Sequence, residues 1–112
     1  MKFLVTYQMP HAGLDQWLQM PEDVRKGAEQ QMQTEWNAWM ENHKDVIIES
    51  AGVGKPKRIT SKGIEDSRND IMMYSFIEMD SLEAAAELFK DHPHFGIPGG
   101  WIEVMAVNKE IG

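Results

Sequence analysis

Any chemistry this chain performs falls to a few residues. His92 and His94 stand two apart in the run Asp91-His92-Pro93-His94. A histidine that titrates near neutral pH can take a proton from a bound substrate, with a carboxylate such as Asp91 orienting it. The same residues at the end of a helix also simply complement its dipole and its free carbonyls. A His-x-His pair needs at least one further ligand to hold a metal. His11 or Glu103 would have to supply it, and nothing in the sequence demonstrates that either is near; the expected site has no metal and no cofactor, with a His-based metal site as a weaker third reading. Glu103 lies between Trp101 and Met105 on one strand face. Buried there, its carboxyl would be raised in pKa and could act as acid or base; solvated, it would do nothing special.

Aromatic residues supply candidate walls. Trp36, Trp39, Tyr74, Phe76 and Trp101 would line a cavity for a flat organic ligand, and at helical or strand spacing they serve equally as plain core. His11 follows the first strand, where pocket mouths lie, or is an exposed loop histidine. His43, on an apolar helix face, reads as a partly buried, hydrogen-bonded side chain. The nine methionines fill irregular core space. Gly52-Val53-Gly54-Lys55-Pro56 fails as a phosphate loop, because Glu49 stands where the first glycine belongs and Pro56 where a Ser or Thr belongs. No nucleophile elbow, zinc-protease or dinucleotide fingerprint occurs.

The elements that must position these residues follow from periodicity. Lys2 to Gln8 alternates as a strand, with Phe3, Val5 and Tyr7 on one face. Leu14 to Met20 is a short apolar segment without a clear type. Pro21, Glu22 and Asp23 open a long helix. Its stripe of Ala28, Met32, Trp36, Trp39, Met40, His43 and Ile47 predicts continuation through Val46 to Ser50, with Gly52 as the stop. A break near Asp45, with Val46-Ile47-Ile48 as a strand, is the alternative; the unbroken phase of the stripe favours the helix. Lys57 to Lys62 reads as a second, polar strand, Gly63 to Asn69 as a turn, and Asp70 to Met79 as a third strand that is apolar on both faces. Asp80 and Glu83 have capping-box spacing for a helix bearing Leu82, Ala85, Ala86 and Phe89. Trp101 to Val107 is the last strand. The order is β-α-β-β-α-β, an α+β ferredoxin-like fold with an antiparallel sheet, and residues 1–112 form one domain.

Bulk properties agree. The chain has 112 residues, 42% of them apolar and 26% charged, ordinary for a globular domain and unlike a disordered one. The net charge of −7 opposes nucleic-acid binding, and the one basic cluster, Lys55, Lys57, Arg58 and Lys62, reads as a solvated turn and hairpin. Without cysteine there is no disulfide scaffold and no thiol chemistry, which fits a cytoplasmic protein. No apolar run is long enough for a signal peptide or a membrane span.

Two helices cover only one face of a four-stranded sheet. Here the third strand offers apolar residues to both sides, and the last strand offers Trp101, Met105 and Val107 opposite its other apolar set, which predicts a homodimer packed sheet on sheet.

These residues resemble a family. Gly52-Val53, Gly63, the run Tyr74-Ser75-Phe76-Ile77-Glu78-Met79-Asp80-Ser81-Leu82-Glu83-Ala84-Ala85, His92-Pro93 and Gly100-Trp101-Ile102-Glu103-Val104 resemble the YCII-related proteins of the dimeric α/β-barrel superfamily. Trp36 and Trp39 fit the Trp-rich first helix of the branch with an Asp-Gly-Pro-Phe signature, where this chain reads Ile64-Glu65-Asp66-Ser67. The resemblance runs from about Gln33 to Val107. It implies ferredoxin-like subunits paired into a barrel, with a pocket between sheet and helices. Some members have been proposed as enzymes using a pocket His–Asp pair, and some are dehalogenase-like or process chloro-muconolactone. The expected function is therefore small-molecule binding in a homodimer, with cofactor-independent catalysis by His92, Asp91 and Glu103 and a ligand held by Trp36, Trp39, Tyr74, Phe76, Trp101, His94 and His11. A non-catalytic interaction or regulatory module is the alternative. Neither nucleic acid nor membrane is an expected partner.

Overall fold

The computed structural model describes residues 1–108. Strand β1 (Lys2–Gln8) leads into helices α1 (His11–Leu18) and α2 (Glu22–Asn42) and strand β2 (Ile47–Gly52). A hairpin of β3 (Lys57–Thr60) and β4 (Gly63–Asp66) follows, then strand β5 (Ile71–Glu78), helix α3 (Leu82–Leu88), a 3-10 turn (Pro93–Gly96) and strand β6 (Trp101–Ala106). The main sheet has the order β2-β5-β1-β6, antiparallel throughout, while β3 and β4 pair with each other. With the hairpin set aside this is the ferredoxin-like β-α-β-β-α-β arrangement the periodicity predicts.

Strand alternation sorts residues between two faces. Phe3, Val5 and Tyr7 of β1, Ile77 of β5 and Val104 of β6 point to the helix side, where Trp36 and Trp39 of α2 and Ala85 and Phe89 at α3 meet them. The register aligns Leu4 with Met105 and Phe76, and Thr6 with Glu103 and Tyr74, on the other face. The described residues put no helix over that face.

Three sequence expectations need correction. The long helix does not reach Ser50. It ends at Asn42, with His43 as its C-cap at φ −123°, and Ile47–Gly52 is a strand paired with β5. The β-branched run Val46-Ile47-Ile48 prefers the pleated backbone. The stripe kept its phase because Ile47, now on a strand, still packs against the same core as Trp39. Second, Lys57 to Thr60 does not join the main sheet: it folds onto Gly63–Asp66, the stretch expected as a turn, through Ser61-Lys62 and Gly63 at φ 137°. Third, α3 is capped not by Asp80 but by Ser81, whose hydroxyl accepts from the Ala84 N–H at 3.1 Å. The unplaced segment after Pro10 is α1, tied down by Arg68 across Asp15 and by His11 against Asp70.

Candidate functional site

The local sequence around the histidines dictates their geometry. Pro93 fixes the first position of the 3-10 turn, and His92 becomes its N-cap. The His92 Nδ1 accepts from the His94 N–H at 2.9 Å. A neutral imidazole carries one proton, so the other nitrogen of His92, Nε2, must hold it. That Nε2 is buried and has no hydrogen-bond partner among the described residues. His94 donates from Nε2 to the Gln8 carbonyl at 2.7 Å, which fastens the turn to the end of β1. The fit is close: a Cβ on Gly100 would stand 3.2 Å from His94 Nε2.

Both rings lie inside an aromatic cluster. His92, 2% exposed, has ring centroids of Trp39 at 4.4 Å, Trp36 at 4.5 Å, Tyr7 at 5.2 Å and Phe89 at 5.8 Å. Burial, with smaller contributions from His94 and His43, pushes the His92 pKa down to about 3. Burial also lowers that of His94, partly offset by its backbone hydrogen bonds at Gln8 and Trp101. His92 is thus a neutral, fixed N–H donor at physiological pH rather than a group that shuttles protons. Tyr7 bonds through its hydroxyl to Ser75 at 2.9 Å, and Ser75 bonds in turn to Ser50. Burial holds the Tyr7 phenol up at about 12, against a small lowering by Ser75.

The sequence-derived site residues separate into groups. Trp36, Trp39, His92 and His94 converge on the helix side. Tyr74, Phe76, Trp101 and Glu103 occupy the opposite face of the sheet, where Glu103 accepts from the Gln8 side chain and Tyr74 donates to Glu49 at 3.0 Å. Asp91 is exposed and makes no hydrogen bond to His92. His11 sits at the start of α1 in an exposed pair with Asp70, 2.7 Å apart. His43 donates to the Trp39 carbonyl, the partly buried role its position predicts. Among the described residues no group of three or more His, Asp or Glu side chains is placed to hold a metal ion. Sequence reasoning missed Tyr7, Ser75 and Ser50. The signal was Ser75 itself, a lone hydroxyl at a core-facing position between Tyr74 and Phe76.

Beside the cluster an apolar groove of about 330 Å³ opens between α3, the 3-10 turn and β6. Leu82, Ala86, Phe95, Ile102 and Val104 line it, and Phe89 forms the partition between it and His92.

Solved structures share this fold. One is a 5-chloro-2-hydroxyhydroquinone dehydrochlorinase from Burkholderia phenoliruptrix AC1100 in complex with 2,5-dihydroxybenzoquinone. It superposes with a TM-score of 0.57 over 98% of this chain and 96% of that one, at 12% identity. At that identity the likeness is one of fold. No protein-family model and no curated protein sequence matches the chain. No helix among the described residues is long and apolar enough to cross a membrane.

Proposed function

We propose that the protein binds a small, flat, oxygen-bearing organic molecule on the helix side of its sheet, and that it does so as a homodimer of the dimeric α/β-barrel, YCII-related type. The observation that carries the binding site is the orphaned Nε2–H of His92. A buried donor without a partner loses on the order of 1–3 kcal/mol, which a ligand oxygen would recover. The Trp36, Trp39 and Tyr7 rings around it suit a planar ligand. The groove is separated from His92 by the Phe89 ring, which a ligand entering from it would have to displace. The fold neighbour's complex with a dihydroxybenzoquinone supports the same ligand class.

The neutral state of His92 favours hydrogen bonding to a carbonyl or hydroxyl over general acid–base exchange. That observation favours ligand binding by His92 over proton abstraction by a His92–Asp91 pair. The dimer is supported by the open sheet face and by surface area. The chain exposes 7903 Å², whereas a monomer of its mass exposes about 6,300 Å². The excess, on the order of 1,500 Å² per copy, reflects surface the chain does not cover by itself, the isolated β3–β4 hairpin and the helix-free sheet face included.

Isothermal titration with 2,5-dihydroxybenzoquinone tests the site. His92→Asn keeps a cap for the His94 N–H, but its shorter amide leaves no N–H at the position of Nε2, and affinity is expected to fall about tenfold or more. Equal affinity in the wild type and the variant, both with native near-ultraviolet circular dichroism, refutes it.

A further inference from the structure

The β3–β4 hairpin does not belong to the sheet, and no helix or main-sheet strand packs substantially against it. A lone two-stranded hairpin is marginal in water. Yet it pairs Ile59 with Ile64 across its strands and leaves them 75% and 70% exposed. It also carries the basic cluster of the chain. Residues 55–66 hold Lys55, Lys57, Arg58 and Lys62 against Glu65 and Asp66, a net +2, so the other residues of this −7 chain sum to −9. Lys57 and Arg58 are paired within the hairpin to Asp66 and Glu65, so what the arm offers a partner is chiefly its exposed isoleucine pair, which fits an apolar surface.

The groove between α3 and β6 has that character. Leu82, Ala86, Phe89, Phe95, Ile102 and Val104 line it, and the charge of Lys90 at its edge is paired to Glu87. The sheet register sets the distance. Gly52, where β2 passes into the hairpin, aligns with Met73, Met73 with Tyr7, and Tyr7 with Ile102 in the groove wall. Within one chain these positions are at opposite edges of the sheet, β2 and β6. A twofold axis running along the strands between two facing sheets lays the β2 edge of one copy beside the β6 edge of the other, with the same ends level.

We propose that the β3–β4 hairpin is an arm that crosses to a second copy of this chain and lays its Ile59–Ile64 pair over that copy's α3–β6 groove, forming the outer wall of each site. This rests on the homodimer reading above. The arm accounts for part of the excess surface, and it makes each groove incomplete in a monomer.

The absence of cysteine makes a clean test possible. Two single variants, Ile64→Cys and Phe95→Cys, are mixed, allowed to exchange subunits and treated with a short bismaleimide. The expected result is a covalent dimer in the mixture and none with either variant alone. In a parallel measurement Ile59→Ser/Ile64→Ser, which alters only exposed side chains, weakens self-association about tenfold or more in sedimentation equilibrium. A wild type that sediments as a monomer removes the dimer reading and the arm with it. A wild-type dimer whose mixed variants do not cross-link, or whose Ile64→Cys cross-links to itself, overturns the arm alone. Wild-type retention of a DNA duplex at physiological salt, lost in Lys57→Glu/Arg58→Glu, also overturns it by assigning the basic hairpin to nucleic acid.

Discussion

On the helix side of the sheet Phe3, Val5, Tyr7 and Ile77 are sealed beneath Trp36, Trp39 and Phe89, and among the described residues the fully buried side-chain N and O atoms are hydrogen-bonded except His92 Nε2. On the other side Leu4, Tyr74, Phe76, Trp101 and Met105 are only half-covered, and the polar groups pair along the surface, the Gln8 amide donating to Glu103 and Thr6 and the Tyr74 hydroxyl to Glu49. One sheet presents aromatic residues to both sides, but only one side is finished within the chain. The two sides shift protonation by different means: burial dominates at His92, His94 and Tyr7 on the finished side, whereas on the unfinished side the Tyr74 phenol is raised chiefly by its hydrogen bond to Glu49. The contrast teaches that residue type alone does not mark a site; the company of a side chain does.

The largest expected effect comes from truncating one phenylalanine on each side. Phe89→Ala removes a core ring and is expected to lower stability by about 3–5 kcal/mol in urea denaturation. Phe76→Ala should lower the stability of the monomeric fold by less than half as much and instead shift sedimentation toward the monomer. Equal losses from the two, with association unchanged, would erase the distinction between the faces.

Acid should act chiefly through the finished side. The folded pKa of His92, about 3, lies below its ordinary 6.5, and His94 is shifted in the same direction. Between those values the unfolded chain binds more protons than the folded one, so stability is full above about pH 6.5 and declines as pH falls toward 3. His92 alone contributes a slope of up to about 1.4 kcal/mol per pH unit. Denaturation midpoints measured from pH 7 to pH 4 should therefore fall, and His92→Asn should flatten the curve. A profile no flatter in the variant would show that the ring is solvated.

The smallest effect is expected at Glu103→Gln. An exposed carboxylate with one amide partner contributes little, so the fold should stay within about 0.5 kcal/mol of the wild type. A larger loss would mean that Glu103 holds the unfinished side together through more than its bond to Gln8.

Much of the fold was legible because the strands at Lys2–Gln8, Ile71–Glu78 and Trp101–Ala106 alternate cleanly, and a period of two leaves little choice of face. The junction after Asn42 was not legible: Ile47 satisfies a helical stripe and a strand face equally well, and only pairing with β5 decides between them. The hairpin was hidden for a related reason, since Lys57–Thr60 looks like any polar strand until its partner is known. Of the site, the His-Pro-His run and the two tryptophans announced themselves by type. Glu103, Tyr74, Phe76 and Trp101 were grouped with them because sequence spacing places residues on faces but does not say which face lies under the helices. Tyr7 stayed unnoticed because a tyrosine on an apolar strand face looks like core, and its link to Ser75 spans 68 positions.

Strand β1 is flanked by β5 and β6, so the first strand of the chain waits for the last to complete its second row of hydrogen bonds. A nascent chain that has not yet released Trp101–Ala106 from the ribosome leaves one edge of its central strand bare. Such an edge is a template for pairing with the wrong chain, so C-terminal truncations ending before Trp101 should accumulate as aggregates in the cell.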